Sequence, residues 1–206
     1  MIAILDYGSG NLRSAQRAFE ATGEEVVVTS DPKTCLKANG LVVPGVGAFR
    51  SCMSGLMKVK GDEIVRERWE NHKPTFGICI GMQIFFESGL EPSQGIVGAT
   101  PGLGIWKGSV SKLQAPILPH MGWNSVKVPV GSRLFKGVES ELFYFVHSYA
   151  AKEKVNGQSG ALLTWGEYGE PFIAAIEDGA FCATQFHPEK SGSAGLALIQ
   201  NWANSL

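Results

Sequence analysis

Cysteine is sparse in this chain and unpatterned. Only Cys35, Cys52, Cys79 and Cys182 occur among its 206 residues. None stands in a C-x-x-C pair, so neither a zinc site nor a disulfide framework is expected, and scattered thiols fit a reducing, cytoplasmic compartment. Long hydrophobic runs are missing too. No window approaches eighteen uncharged apolar residues, which excludes a membrane-spanning helix. Neither sign of charge is in excess: 18 Lys and Arg face 19 Asp and Glu, for a net charge of -1 and a pI of about 6.4. No large basic field therefore exists to hold nucleic acid or an anionic membrane. The N-terminus enters the strand-like run Ile2-Ala3-Ile4-Leu5 without a basic segment or a long apolar segment, so no signal peptide is expected. Internal repeats, low-complexity tracts and linkers are also lacking.

What is present is enough apolar sequence, 44%, to build one core, and residues 1–206 read as a single domain. The first half alternates strand-like and helix-like segments. Strands are expected at 2–5, 25–28, 41–43 and 75–78, and helices at 11–22, 62–71 and 81–88. That rhythm predicts βαβ units and a parallel sheet with helices on both faces. The second half carries short β-like runs at 125–130, 142–146, 160–164, 173–176 and 182–186, read as antiparallel additions to the same sheet. A closing helix is expected over 192–205, and a flexible surface loop over 90–105. In an open parallel sheet, ligands bind beyond the carboxyl ends of the strands. Asp6–Asn11, Pro44–Phe49, Cys79 and His187 each follow a strand-like run, so they are expected to converge on one edge.

Two segments carry chemistry. In Gly77-Ile78-Cys79-Ile80-Gly81 a cysteine stands between two glycines, after an apolar run and before a helix-like one. This is the pattern of a nucleophile elbow, in which a sharp strand-to-helix turn exposes one side chain at its apex. The helix N-terminus beside it favours a thiolate nucleophile. The same residues also read as a small apolar residue buried at a strand end. Near the other terminus, an extended run ends in His187-Pro188-Glu189. Residues two apart in an extended backbone share a side, so His187 can act as base and Glu189 as its orienter. A His beside a proline in a surface loop is the plainer alternative, and His147 is the rival base, without a carboxylate close in sequence. An amide-cleaving cysteine also needs N–H donors for the developing oxyanion. Ile80, directly after the nucleophile, offers one. The glycines of Pro44-Gly45-Val46-Gly47 let a second loop offer another, although Pro-Gly is also a common turn pair. Gln83, one helical turn past Cys79, projects to the nucleophile's side. Ser9 or Asn11 can cap the first helix. The run Asp6–Asn11 is not a dinucleotide loop, because Arg13 occupies the last glycine position of G-x-G-x-x-G. Trp123, in His120-Met121-Gly122-Trp123-Asn124, is either packed on the core or an interface anchor.

With all of these motifs in order, the chain from residue 2 to its end resembles the class I (triad) glutamine amidotransferases. Asp6–Ser14, Pro44–Phe49, His120–Asn124 and Tyr144–Tyr149 are similar to the glutaminase subunits of imidazole glycerol phosphate synthases. The resemblance implies a flavodoxin-like fold and hydrolysis of glutamine to glutamate and ammonia, through a thioester on Cys79 with His187 and Glu189 completing the triad. It implies that the Gly45–Val46 peptide turns the Val46 N–H inward to join Ile80 in an oxyanion hole, with Gly45 and Gly47 beside the substrate. Gln83, His147, Ser148 and Tyr149 would hold glutamine. Asn11 and Trp123 would face a (β/α)₈ barrel partner. There ammonia would meet a phosphoribulosyl formimino intermediate of histidine biosynthesis, yielding imidazole glycerol phosphate and an aminoimidazole carboxamide ribotide. No metal or organic cofactor is implied.

Three other readings remain open on the residues alone. The first is the glutaminase of another pathway, such as pyridoxal phosphate or anthranilate synthesis. The second is a cysteine peptidase or chaperone-like relative on the same fold. The third is a non-enzymatic binding module.

Overall fold

Ile2, Ala3, Ile4 and Leu5 form the first strand, and all four are fully buried. A strand apolar at every position has no face to give to water, so it needs cover on both sides, as in a parallel sheet between helices. The computed structural model describes residues 1–92, 98–152 and 160–206. In chain order its first elements are β1 (Ile2–Leu5), α1 (Leu12–Glu20), β2 (Val26–Thr29), α2 (Pro32–Lys37), β3 (Gly40–Gly45), α3 (Phe49–Lys58) and α4 (Gly61–Glu70). Then come β4 (Thr75–Cys79), α5 (Ile80–Gln83), β5 (Phe86–Gly89), β6 (Thr100–Pro101), β7 (Trp106–Lys112), β8 (His120–Asn124), β9 (Phe143–His147) and β10 (Tyr149–Ala151). The last are β11 (Leu162–Tyr168), β12 (Glu170–Asp178), β13 (Phe181–Thr184), a 3₁₀ turn at Pro188–Lys190 and α6 (Gly192–Ala203).

The main sheet has seven strands in the order β11-β12-β13-β4-β3-β1-β2. The five from β13 to β2 run parallel, and β12 and β11 continue antiparallel. Counted along the parallel part, this is the flavodoxin order 2-1-3-4-5, with β13 in fifth place. Because these strands are parallel, the ends of β1, β3, β4 and β13 open on one edge. Buried Arg68 secures the far end of the sheet. Its guanidinium donates to the carbonyls of Cys35, Ala38, Asn39 and Pro74, tying the end of α2 to the starts of β3 and β4. Among the described residues no helix is long and apolar enough to cross a membrane.

Several local expectations are corrected. The run 182–186 is a central parallel strand rather than an antiparallel addition. The 142–146 run, as β9, pairs with β8 in a separate two-stranded sheet, and β10, β7, β5 and β6 make a third. Residues 125–130 form no strand. Only Lys127 pairs, with Trp165, because β11 is bulged between Thr164 and Trp165 and offers no continuous edge. The helix expected at 81–88 stops at Gln83. Phe85 and Phe86 are drawn into the core against Trp106, and the chain continues as β5 beside β7. Tertiary packing of aromatics outweighs helix propensity there. Within 90–105, residues 93–97 lie outside the described residues, whereas β6 and buried Leu103 are ordered parts of the structure. Two helices had not been singled out. For α2 the signal was available, since Asp31 caps it by accepting from the Thr34 N–H and Pro32 stands at its start.

Candidate active site

The carboxyl ends of β3 and β4 meet backbone to backbone, and glycine permits it. A Cβ on Gly81 would lie 1.8 Å from the Val43 carbonyl oxygen, and one on Gly45 would lie 2.5 Å from the Gly81 nitrogen. The glycines around the elbow therefore serve close approach. The unusual dihedral falls on Cys79 itself, with φ 56° and ψ -111°. An L-residue so held costs of order 1–3 kcal/mol, sustained by the packing around it. The thiol is not exposed, as an elbow apex had suggested: Cys79 retains 3% of its surface. The β3–β4 junction and Gln185 cover it, the Gln185 Nε2 standing 3.7 Å from Sγ.

His187 follows β13, and its N–H donates to the Tyr144 carbonyl at 3.0 Å. Ser191 Oγ donates to the His187 carbonyl at 2.7 Å and fixes the turn from the other side. Glu189 reaches His187 in a way the extended reading did not foresee. Pro188 opens a 3₁₀ turn that folds Glu189 back, and its Oε1 lies 2.8 Å from Nδ1. With Nδ1 committed to the carboxylate, Nε2 is the atom left to hydrogen-bond Cys79. Burial, the largest single influence, disfavours the imidazolium. The contacts with Cys79 and Glu189 together outweigh it and push the His187 pKa up to about 10. The three side chains thus form one line, thiol to imidazole to carboxylate.

His147 stands apart from this line. Its Nδ1–H donates to the Tyr149 carbonyl, so its Nε2 accepts from His120 Nδ1 at 3.0 Å, and His120 Nε2 accepts from Asn124. Both nitrogens are committed to this chain. Burial pushes the His120 pKa down to about 4 and that of His147 to about 3, so both are neutral at pH 7. A histidine whose folded pKa lies below its unfolded value of about 6.5 is protonated preferentially on unfolding. The stability from His120 and His147 is therefore present above about pH 6.5 and is lost as the pH falls towards 4 and 3. His187 has the opposite sign. Its contribution is complete below about pH 6.5 and is lost as the pH rises through 10. Thermal melts from pH 5 to 9 should peak near pH 6.5, and His187→Ala should flatten the alkaline limb. A melting temperature that rises steadily through this range would contradict the assignment.

Beside the elbow lies a cavity of about 140 Å³ lined by Gly47, Ile80, Gln83, Glu91, His147, Ser148 and Tyr149. A larger cleft of about 320 Å³, between α3, α4 and β6, is elsewhere. Of the residues expected around a substrate, Gly45 alone does not line the small cavity, being packed on Gly81. The Gln83 amide donates to the Tyr149 carbonyl and to Gln185 Oε1, bracing the elbow against β10 and the segment just after β13. Two residues here were missed from sequence. Gln185 lies under the thiol, in an apolar run with no local motif to mark it. Glu91 is the cavity's carboxylate and also accepts from the Phe49 N–H at the start of α3, with no local motif to mark it.

The Val46 N–H does not face Cys79 in this conformation. It donates to Ser9 Oγ at 3.0 Å. Ile80 opens α5, where the first-turn N–H groups lack intrahelical acceptors. Asn11, one of the two cap candidates, caps α1 by accepting from the Ser14 N–H. Trp123 lies on β8, and at 55% exposure it is not a core residue. Met121, at 61%, is exposed beside it. Among the described residues no group of three or more His, Cys, Asp or Glu could hold a metal ion.

Residues 3–205 match the family described as glutamine amidotransferase class-I. The chain is 55% identical over 206 residues to the imidazole glycerol phosphate synthase subunit HisH of Mycobacterium bovis, covering 100% of this chain and 98% of that protein. The same subunit of Nocardia farcinica is 52% identical over 210 residues, again with 100% and 98% coverage. Among solved structures, one described as a glutamine amidotransferase superposes with a TM-score of 0.73 at 18% identity, over 98% of each chain.

Proposed function

The chain belongs to the class-I glutamine amidotransferases, and from that premise we propose that it is the glutaminase subunit of an imidazole glycerol phosphate synthase in histidine biosynthesis. The observation that carries the chemistry is the line from Cys79 through His187 to Glu189, next to a cavity lined by Gln83, Glu91 and the Ser148–Tyr149 segment. On this reading the chain is one glutaminase domain. With its pKa near 10, His187 already holds the proton, so Cys79 attacks the side-chain amide carbon from an ion pair with the imidazolium, and His187 then gives that proton to the leaving ammonia. Water, activated by His187, releases glutamate from the thioester. Glu189 keeps Nε2 turned to the thiol and balances the imidazolium. The Glu91 carboxylate suits the substrate's α-ammonium group, and the Ser148–Tyr149 backbone its other polar end. Ile80 and Val46 supply the oxyanion donors. Ammonia then passes to a cyclase subunit, read here as a (β/α)₈ barrel, with Trp123 and the Asp6–Asn11 loop at the contact. The setting is the cytoplasm.

Ammonia made without an acceptor is wasted, which favours a subunit silent on its own. With Val46 turned to Ser9, one oxyanion donor is missing, and such a loss lowers turnover by about 10²–10³. Glutaminase turnover should therefore be low for the isolated chain and rise by about that factor with the cyclase and its ribotide ligand. Trp123→Ala should weaken association or stimulation while Cys79 stays reactive. Full turnover by the isolated chain, indifferent to partner and ligand, would refute this coupling.

A further inference from the structure

We infer that Gln185 is a further catalytic residue, whose side-chain amide donates a hydrogen bond to the Cys79 thiolate and shares with His187 the task of holding that charge. The inference rests on the reading of Cys79 as the nucleophile and deepens it by naming a second donor to the sulfur.

Gln185 directly follows β13 and is fully buried, in the run Ala183-Thr184-Gln185-Phe186. An apolar side chain would fill this place without a desolvation cost, whereas a buried amide needs partners for its polar atoms. The direction of the amide is set from a distance. The Tyr149 carbonyl can only accept, so the Gln83 atom 2.8 Å from it is the amide nitrogen. The same nitrogen stands 2.9 Å from the Gln185 side chain, which therefore turns its oxygen towards Gln83. Gln185 Nε2 is left on the other side, 3.7 Å from Cys79 Sγ, a separation that the larger radius of sulfur admits. One backbone carbonyl thus orients two amides in series and delivers an N–H to the nucleophile. Both glutamines are buried, so bulk water does not compete with these bonds.

The other titratable groups near the thiol are Tyr7, Cys52 and, behind His187, Glu189. Burial raises the pKa of Tyr7 and of Cys52, so neither carries charge at pH 7. A neutral donor suits this place. It stabilises the thiolate without adding a second positive charge that would oppose the imidazolium of His187. The bond is strongest when the sulfur is charged. That holds in the ion pair before attack, and again as the thiolate leaves the adduct that water forms on the thioester.

The test is alkylation of the isolated chain by iodoacetamide from pH 5 to 10, with Cys79→Ala as the blank, alongside glutamine turnover and melting temperatures. Gln185→Met keeps the length of the side chain and removes the donor. Gln83→Leu keeps Gln185 and releases its orientation. In Gln185→Met the midpoint of the alkylation profile should move up by about one pH unit, the roughly tenfold loss of thiolate that one hydrogen bond to a charged atom supports. By the same reasoning kcat should fall about tenfold. KM should change less, because Gln185 does not line the cavity. Gln83→Leu should move the profile the same way and by less. An unmoved profile in Gln185→Met with a lowered melting temperature would make Gln185 a brace only, and would overturn the thiolate contact while leaving the glutaminase reading intact. Where Gln185→Met melts below the assay temperature, Gln83→Leu decides: a midpoint that rises supports the donor, and one that stays overturns it. Wild-type turnover that survives Cys79→Ala would instead overturn the glutaminase reading, and this inference with it.

Discussion

Cys79→Ala should reduce glutamine hydrolysis by about 10⁵–10⁶, the loss seen when the nucleophile of a hydrolytic triad is removed. No second thiol can substitute. Burial raises the pKa of Cys35 to about 11 and that of Cys182 to about 12, and it raises that of Cys52 as well. These three are protonated at neutral pH, and the thiolate is the reactive form. A glutamine-mimicking electrophile should therefore label Cys79 and spare the others, as peptide mass mapping would show. The variant should fold, because alanine fills most of the same space. It remains strained, since any Cβ at φ 56° and ψ -111° meets the backbone. Cys79→Gly should melt higher than Cys79→Ala, in proportion to that strain. Turnover above background in pure Cys79→Ala would remove the cysteine mechanism altogether.

His187→Ala should cost about as much as losing the nucleophile, because base and nucleophile act as one unit and removing either disables both. Glu189→Gln should retain about 10- to 100-fold more activity than His187→Ala, as orienters of triad bases do. The geometry explains the difference. A glutamine amide can still accept from Nδ1 and keep Nε2 turned to the thiol. What it lacks is the charge that helps to hold the His187 pKa near 10. The pKa of the imidazole should fall in Glu189→Gln, and the pH–rate profile should shift with it. Steady-state turnover across pH for the three proteins checks both statements. An undiminished His187→Ala enzyme would transfer the base to His147, against the commitment of both His147 nitrogens to His120 and Tyr149.

The residues proposed to carry the chemistry were legible because each depends on a short local pattern. A cysteine between two glycines at a strand end, a His-Pro-Glu following an apolar run, and an alternation of apolar strands with amphipathic helices are all written within a few residues. They led to the parallel sheet, the shared edge and the line of three side chains. Sequence misled where long-range packing outweighs local preference. Residues 84–89 have helical neighbours on the N-terminal side, yet Phe85 and Phe86 gain more from Trp106 than from another helical turn. The valines of 125–130 alternate as a strand does, but the bulge in β11 leaves only Lys127 a partner.

By itself, the order of residues determined which side chains could act: a thiol at the end of β4, and an imidazole and a carboxylate in the segment that follows β13. Tertiary structure alone decided how they stand. It buried the thiol under Gln185, folded Glu189 back on a 3₁₀ turn, committed His147 to His120, and turned the Val46 N–H to Ser9. The physical reason is the range of the interactions. Turn chemistry, strand periodicity and helix caps act over two to four residues and are readable along the chain. Burial and hydrogen-bond partnership join groups such as Ser9 and Val46, or Gln83 and Gln185, 37 and 102 positions apart, and exist only once the sheet has closed.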